Sequence, residues 1–120
     1  MNRKIENYIR LAMDELKKEK SLAKEFKGYL SSLGPAINMS GLIPAIAFYS
    51  AKENAKADRS KVIAWIFNIL KKQNEWPGIG NTETLLDFAI RQTDQRKLQK
   101  DVEDISVALK LTLRTFSLTD

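Results

Sequence analysis

Cysteine and histidine are both absent from the 120 residues. Without cysteine there is no disulfide, no thiolate zinc or iron–sulfur site and no thiol nucleophile, and a reducing compartment fits. Without histidine the chain lacks the commonest general base near neutral pH and the commonest transition-metal ligand. Most hydrolase designs fall with these two residues, so the expectation is a non-enzymatic protein with no catalytic residue, metal or cofactor. Long hydrophobic runs are missing too. Leu42 to Tyr49 is interrupted by Pro44, Val62 to Leu70 by Asn68, and the opening Met1-Asn2-Arg3-Lys4 lacks the apolar stretch of a secretory signal. A cytoplasmic protein with no membrane contact is expected.

What is present is ordinary globular composition, 43% apolar and 29% charged, at a length suited to one domain over residues 1–120. No stretch alternates with period two, so no strand is expected, and the fold class is all-α, a bundle of about six helices. Ile5, Tyr8, Ile9, Ala12, Met13, Leu16, Ala23, Phe26, Leu30 and Leu33 step by three and four, which predicts one long helix over about 3–31. Glu19 falls on its apolar face, so the helix is expected to bend or dock unevenly near its middle. Gly34-Pro35 then punctuates the chain, and 36–39 is read as one short helical turn. Further helices are expected over about 42–54, with Pro44 in the tolerated first turn, and over about 58–73. Both are apolar around most of their circumference, which places them at the centre or at an interface. Trp76-Pro77-Gly78-Ile79-Gly80 is a loop, Asn81 or Thr82 is expected to cap a fifth helix over about 83–92, and Leu98, Val102, Ile105, Leu109, Leu113 and Phe116 stripe a last helix from about Asp94.

Twenty Lys and Arg against fifteen Asp and Glu give a net charge of +5, with the surplus in the first two-thirds of the chain. Such a balance permits nucleic-acid contact without requiring it. The carboxylate groupings, Asp14-Glu15, Glu83 with Asp87, and Asp101, Glu103 and Asp104, read as solvated helix faces rather than as a convergent metal site. Gly78-Ile79-Gly80 lacks the following Lys-Ser or Lys-Thr of a phosphate loop and reads as a turn. Trp65 lies inside an apolar helix and is expected in the core, whereas Trp76 is open between capping the core and meeting a partner.

The most informative charges are Arg3, Arg10, Lys17 and Lys24, spaced by seven, with Lys20 and Lys27 leaning toward them and Glu6 interrupting. Seven helical residues rise about 10 Å, comparable with the phosphate spacing of a nucleic-acid backbone. These six are the candidate nucleic-acid-binding residues. On the residues alone a second interpretation stays open, a solvated flank laced with local ion pairs. Were that so, the RNA surface would lie around Lys61, Lys71 and Lys72 or around Arg96 and Lys100.

Residues Tyr29 to Lys52 carry a pattern of their own: Leu33, Pro35 and Ile37 leading to Gly41-Leu42, then Phe48-Tyr49-Ser50-Ala51-Lys52. This segment resembles the small subunit of the type III-B CRISPR effector, the fifth protein of the Cmr complex. A charged long first helix before the motif and a helix with an internal tryptophan after it, matched by Trp65, extend the resemblance to most of the chain. It implies a non-catalytic helical subunit in antiviral defence, stacked with copies of itself beside the other Cmr subunits and contacting the backbone of target RNA or its duplex with the guide. In isolation such a chain is expected to be monomeric or weakly associating. Three rivals remain. One is a generic helical interaction adaptor. Another is a helix-turn-helix regulator, whose candidate segment from Thr82 to Arg96 begins with the phosphate-repelling Glu83 and Asp87. A third is a metal nuclease, which would require activity dependent on divalent ions.

Overall fold

The computed structural model describes residues 3–51, 57–81 and 84–120. Six α-helices follow in order: α1 (Arg3–Lys17), α2 (Glu25–Ser40), α3 (Leu42–Ser50), α4 (Ser60–Gln73), α5 (Leu85–Arg91) and α6 (Gln95–Leu113), with a single 3₁₀ turn at Ile79–Asn81. The all-α expectation holds. The core is organised on α6, which packs against α1, α2 and α4. Its stripe of Leu98, Val102, Ile105, Leu109 and Leu113 is fully buried, and each such side chain contributes about 1.5–3 kcal/mol over remaining exposed. Asp94 caps the helix by accepting a hydrogen bond from the Lys97 amide (3.1 Å).

The long first helix expected over 3–31 is two helices. Nothing between Lys18 and Lys24 breaks a helix by its own chemistry, because the segment holds neither proline nor glycine. The break is imposed from the other end of the chain. The Lys24 amide donates to the Thr119 carbonyl (2.9 Å) and the Thr119 amide donates to the Leu22 carbonyl (2.8 Å), a parallel bridge that draws Leu22 and Ala23 into the core. Tertiary pairing overrides weak local preference. Glu19, the misplaced acid of the predicted face, lies beyond the end of α1 and turns to α4.

Pro35 does not end a helix either. It sits inside α2, which runs on to Ser40 and buries Phe26, Leu30, Leu33 and Ile37, so the predicted short turn over 36–39 is the end of that helix. The proline costs the carbonyl of Ser31 its helical partner, and both residues lie on the exposed face, where water can serve that carbonyl. The true stop is Gly41. Its amide donates to Ile37 (2.8 Å) and its φ of 97° lies where a side chain is strained, so one glycine ends α2 and opens α3.

Helix α3 is buried on one side only, through Leu42, Ala45, Ile46 and Tyr49, while Phe48 points outward under the Arg59 guanidinium at 4.2 Å. The helix expected to reach about Asn54 stops at Ser50, because Ala51 is already extended (φ −66°, ψ 123°); Asn54 itself lies outside the described residues. Helix α4 buries seven side chains and fits the expected central place. Trp65 is in the core, 4.9 Å from the Phe26 ring. Trp76 caps the core from the loop, edge-on to Phe88 at 5.7 Å. The fifth helix starts later than expected. Thr84 is its cap, accepting from the Asp87 amide (3.0 Å); the side chain of Asn81 and all of Thr82 and Glu83 lie outside the described residues.

Candidate nucleic-acid interface

The inner face of α1 carries acids with partners, and the outer face carries Arg3, Arg10 and Lys17 interleaved with the exposed Glu6 and Asp14. The acids at its inward end are engaged. Glu15 is buried and accepts from Lys18 (3.0 Å) and from the Asn68 amide group (3.1 Å), with Lys72 at 3.3 Å. Glu19 pairs with Lys61 and accepts from the Trp65 indole N–H (3.3 Å). Lys61, Trp65, Asn68 and Lys72 step by four, three and four, so one stripe of α4 clamps the end of α1. Burial alone would raise the Glu15 carboxyl, but the hydrogen bonds from Lys18, Asn68 and Lys72 outweigh it and hold the group below its ordinary value. These cations also offset the cost of placing two acids at the negative end of the helix dipole.

At the other end of α1, Lys4 reaches Asp101 on α6 (2.6 Å) and Glu75 (3.5 Å), and Asp101 also accepts from the Trp76 indole N–H (2.9 Å). Burial opposes the Lys4 charge, yet the bond to Asp101 and the neighbouring acids hold the amine above its ordinary value. Burial and then the Asp101 charge push the Tyr8 phenol up as well, so it stays neutral. The reading of the carboxylates as solvated faces is therefore corrected: Glu15, Asp101 and Asp104 are buried, because each lies at the edge of an apolar stripe where a lysine can reach it. Asp104 takes Lys100 at 3.0 Å. Each of the three already has its cationic partner, and among the described residues no group of three acids could hold a metal ion.

Arg3, Arg10 and Lys17 stand on the opposite face of α1, all exposed. Among the described residues these three, with Lys20 and Lys27, form no ion pair. The expected line of four does not continue past Lys17. Lys20 falls in the turn, Lys24 precedes α2 and is paired with Asp120 (3.2 Å), and Lys27 is on α2, because the break at 18–24 redirects the chain. Among the described residues Arg3, Arg10 and Lys17 are thus solvated without local pairs, whereas Lys24 has Asp120. Sequence reasoning missed the clamp and the Lys4–Asp101–Trp76 lock. Their one visible signal was Glu19 on an apolar face.

The helix considered for groove reading, α5, has seven residues and buries Leu85, Phe88 and Ala89, and its Asp87 is tied to Arg91 at 3.2 Å. It offers no recognition surface. A family model of the CRISPR-associated protein Cas_Cmr5 matches residues 2–108. The chain belongs to that family.

Membership in the Cas_Cmr5 family makes it a CRISPR-associated subunit of the Cmr effector complex. The motif from Tyr29 to Lys52 falls on the α2–α3 junction, where Gly41 sets the turn, and on α3. The match ends within α6; Leu22 and Lys24 lie inside it and their partner Thr119 beyond it. No curated protein and no solved structure matches the chain. Among the described residues no helix is long and apolar enough to cross a membrane.

Proposed function

We propose that the chain is a non-catalytic small subunit of a cytoplasmic type III-B Cmr complex, contacting the backbone of target RNA or its duplex with the guide through the outer face of α1. The observation that carries this reading is the row Arg3, Arg10 and Lys17, exposed and, among the described residues, without an ion pair, in a protein that neutralises its inward charges. Separated point charges bind phosphate without discriminating bases, so affinity is expected to be independent of sequence and steeply dependent on salt. Stacking with copies of itself and with larger subunits draws on exposed apolar side chains of α2, α3 and α5, where Met39, Phe48 and Ile90 are 90%, 60% and 59% exposed. An open apolar groove of about 320 Å³ also lies between α4 and α5, lined by Ile63, Ala64, Phe67, Leu85 and Leu86.

The test reverses Arg10 and Lys17 to Glu together. Exposed positions away from structural pairs usually change stability by no more than about 0.5 kcal/mol, so the melting curve should hold. The slope of log affinity against log salt should shrink by roughly 0.7 for each single-strand phosphate no longer neutralised, or 0.9 on a duplex. RNA binding equal to the parent's at every salt concentration would leave the adaptor alternative standing instead.

A further inference from the structure

Among the described residues one carboxylate, Glu15, takes two cations. Lys18, just past the end of α1, and Lys72, in the last turn of α4, both approach its Oε1, at 3.0 and 3.3 Å. Their ammonium nitrogens therefore stand no more than about 6.3 Å apart. The other oxygen, Oε2, accepts from Asn68. Asp14, exposed beside Glu15 in the chain, pairs with neither lysine. By contrast Asp104 has Lys100 alone and Glu19 has Lys61 alone. One negative charge cannot balance two positive ones, so this corner keeps a surplus of one. Both lysines stand at helix C-termini, whose partial charge favours a cation but leaves their remaining donors unused. Each ammonium has three N–H bonds, gives one to Glu15 and keeps two. The side chains are 60% and 38% exposed against 3% for Glu15, so the acid lies inside and the spare donors lie toward solvent.

From this convergence we infer that Lys18 and Lys72 form a seat for one phosphate of the RNA backbone, which bridges the two ammonium groups from outside as Glu15 bridges them from within. Charge-assisted N–H···O contacts of about 2.7–2.9 Å on each side let a single phosphate span a gap of this size. Lysine meets phosphate as a compact point charge, whereas a second carboxylate is drawn better by the planar fork of arginine. The inference rests on the reading of the chain as an RNA-contacting subunit but not on the α1 row, because no face shared with Arg3, Arg10 or Lys17 is required.

Binding of the full chain to single-stranded and guide-paired RNA is measured against salt for Lys18→Gln, Lys72→Gln, Lys100→Gln and Glu15→Gln. Removing either lysine of the seat leaves the other matched one to one with Glu15. Each of these two variants should therefore lose roughly 0.7–0.9 of the slope, about five- to eightfold in affinity between 1 M and 0.1 M salt. Lys100→Gln removes the same charge elsewhere and should leave binding unchanged. Glu15→Gln releases both ammonium groups and should tighten binding by a similar factor, a gain that reports even from a less stable variant. Acylation footprinting of the parent should show Lys18 and Lys72 shielded by bound RNA and Lys100 not, which decides the matter if a variant fails to fold. Should Arg10→Glu weaken binding while folded Lys18→Gln and Lys72→Gln leave it alone, the seat is refuted and the α1 row stands. An equal loss with Lys100→Gln refutes the seat in favour of diffuse charge, and a folded Glu15→Gln that binds no tighter than the parent refutes it too. Stronger displacement of RNA by polyglutamate than by polyphosphate of equal charge would overturn phosphate as the ligand.

Discussion

Asp101 is the residue whose loss the structure prices most clearly. It is 1% exposed and holds two donors, the Lys4 ammonium and the Trp76 indole N–H. In Asp101→Ala the buried indole N–H loses its acceptor, which costs about 1–3 kcal/mol. The ion pair adds less than the roughly 3–5 kcal/mol of a fully buried one. Lys4 keeps a third of its side-chain surface in water and retains Glu75 at 3.5 Å, so about 1 kcal/mol is the fitting figure. The sum is about 2–4 kcal/mol. Asp101→Asn keeps an oxygen for Trp76 and loses only the charge, so about 1–2 kcal/mol is expected. Urea unfolding followed by circular dichroism measures both. With a slope of about 1.5 kcal/mol per molar, the alanine variant should unfold roughly 1.3–2.7 M earlier at unchanged slope, and the asparagine variant about half as far. Alanine and asparagine variants both within about 0.5 kcal/mol of the parent would refute the lock, and with it the register it sets between α1 and α6.

Glu15 gives a pH dependence. Its carboxyl is held below the ordinary 4.5 by its hydrogen-bond donors, so its stabilisation is present above that value and lost as pH falls through the folded-state value. The stability gap between the parent and Glu15→Gln should be constant from pH 7 to about 5.5 and close progressively below about 4.5 in urea melts; a gap that widens on acidification would reverse the assignment. Among the described residues the buried Tyr8 hydroxyl meets no hydrogen-bond partner, so Tyr8→Phe should leave stability unchanged or raise it by up to about 1 kcal/mol, and a larger loss would show the hydroxyl to be engaged. Thr119→Pro removes the amide that bonds Leu22. Hydrogen exchange at Lys24 should then quicken by at least about tenfold while α4 amides keep their protection, and unaltered exchange would mean that the bridge does not hold the 18–24 turn.

What could be read from the sequence was what depends on neighbours in the chain. The stripe of α6 from Leu98 to Leu113 has the clean period of a helix packed on one side, and its cap at Asp94 stands immediately before it. Arg3, Arg10 and Lys17 were legible for the same reason, since their alignment is internal to α1. The break at 18–24 was not, because Thr119 makes it from nearly a hundred residues away. Asp101 and Glu15 read as surface acids because nothing local announces that Lys4 or the Lys61-to-Lys72 stripe of α4 will reach them. Pro35 misled in the opposite direction. A proline on an exposed helix face leaves its orphaned carbonyl to water, and α2 continues past it.

The central claim is that this chain works inside an RNA-guided assembly and lies on its RNA. Native mass measurement of the complex purified through this chain, with and without complementary target RNA, tests it most directly. The account predicts larger protein subunits, a guide RNA and more than one copy of this chain in a single particle, whose affinity for target RNA falls when Arg10 and Lys17 are reversed. Recovery of the chain alone, or of a closed homodimer carrying no RNA, would contradict it.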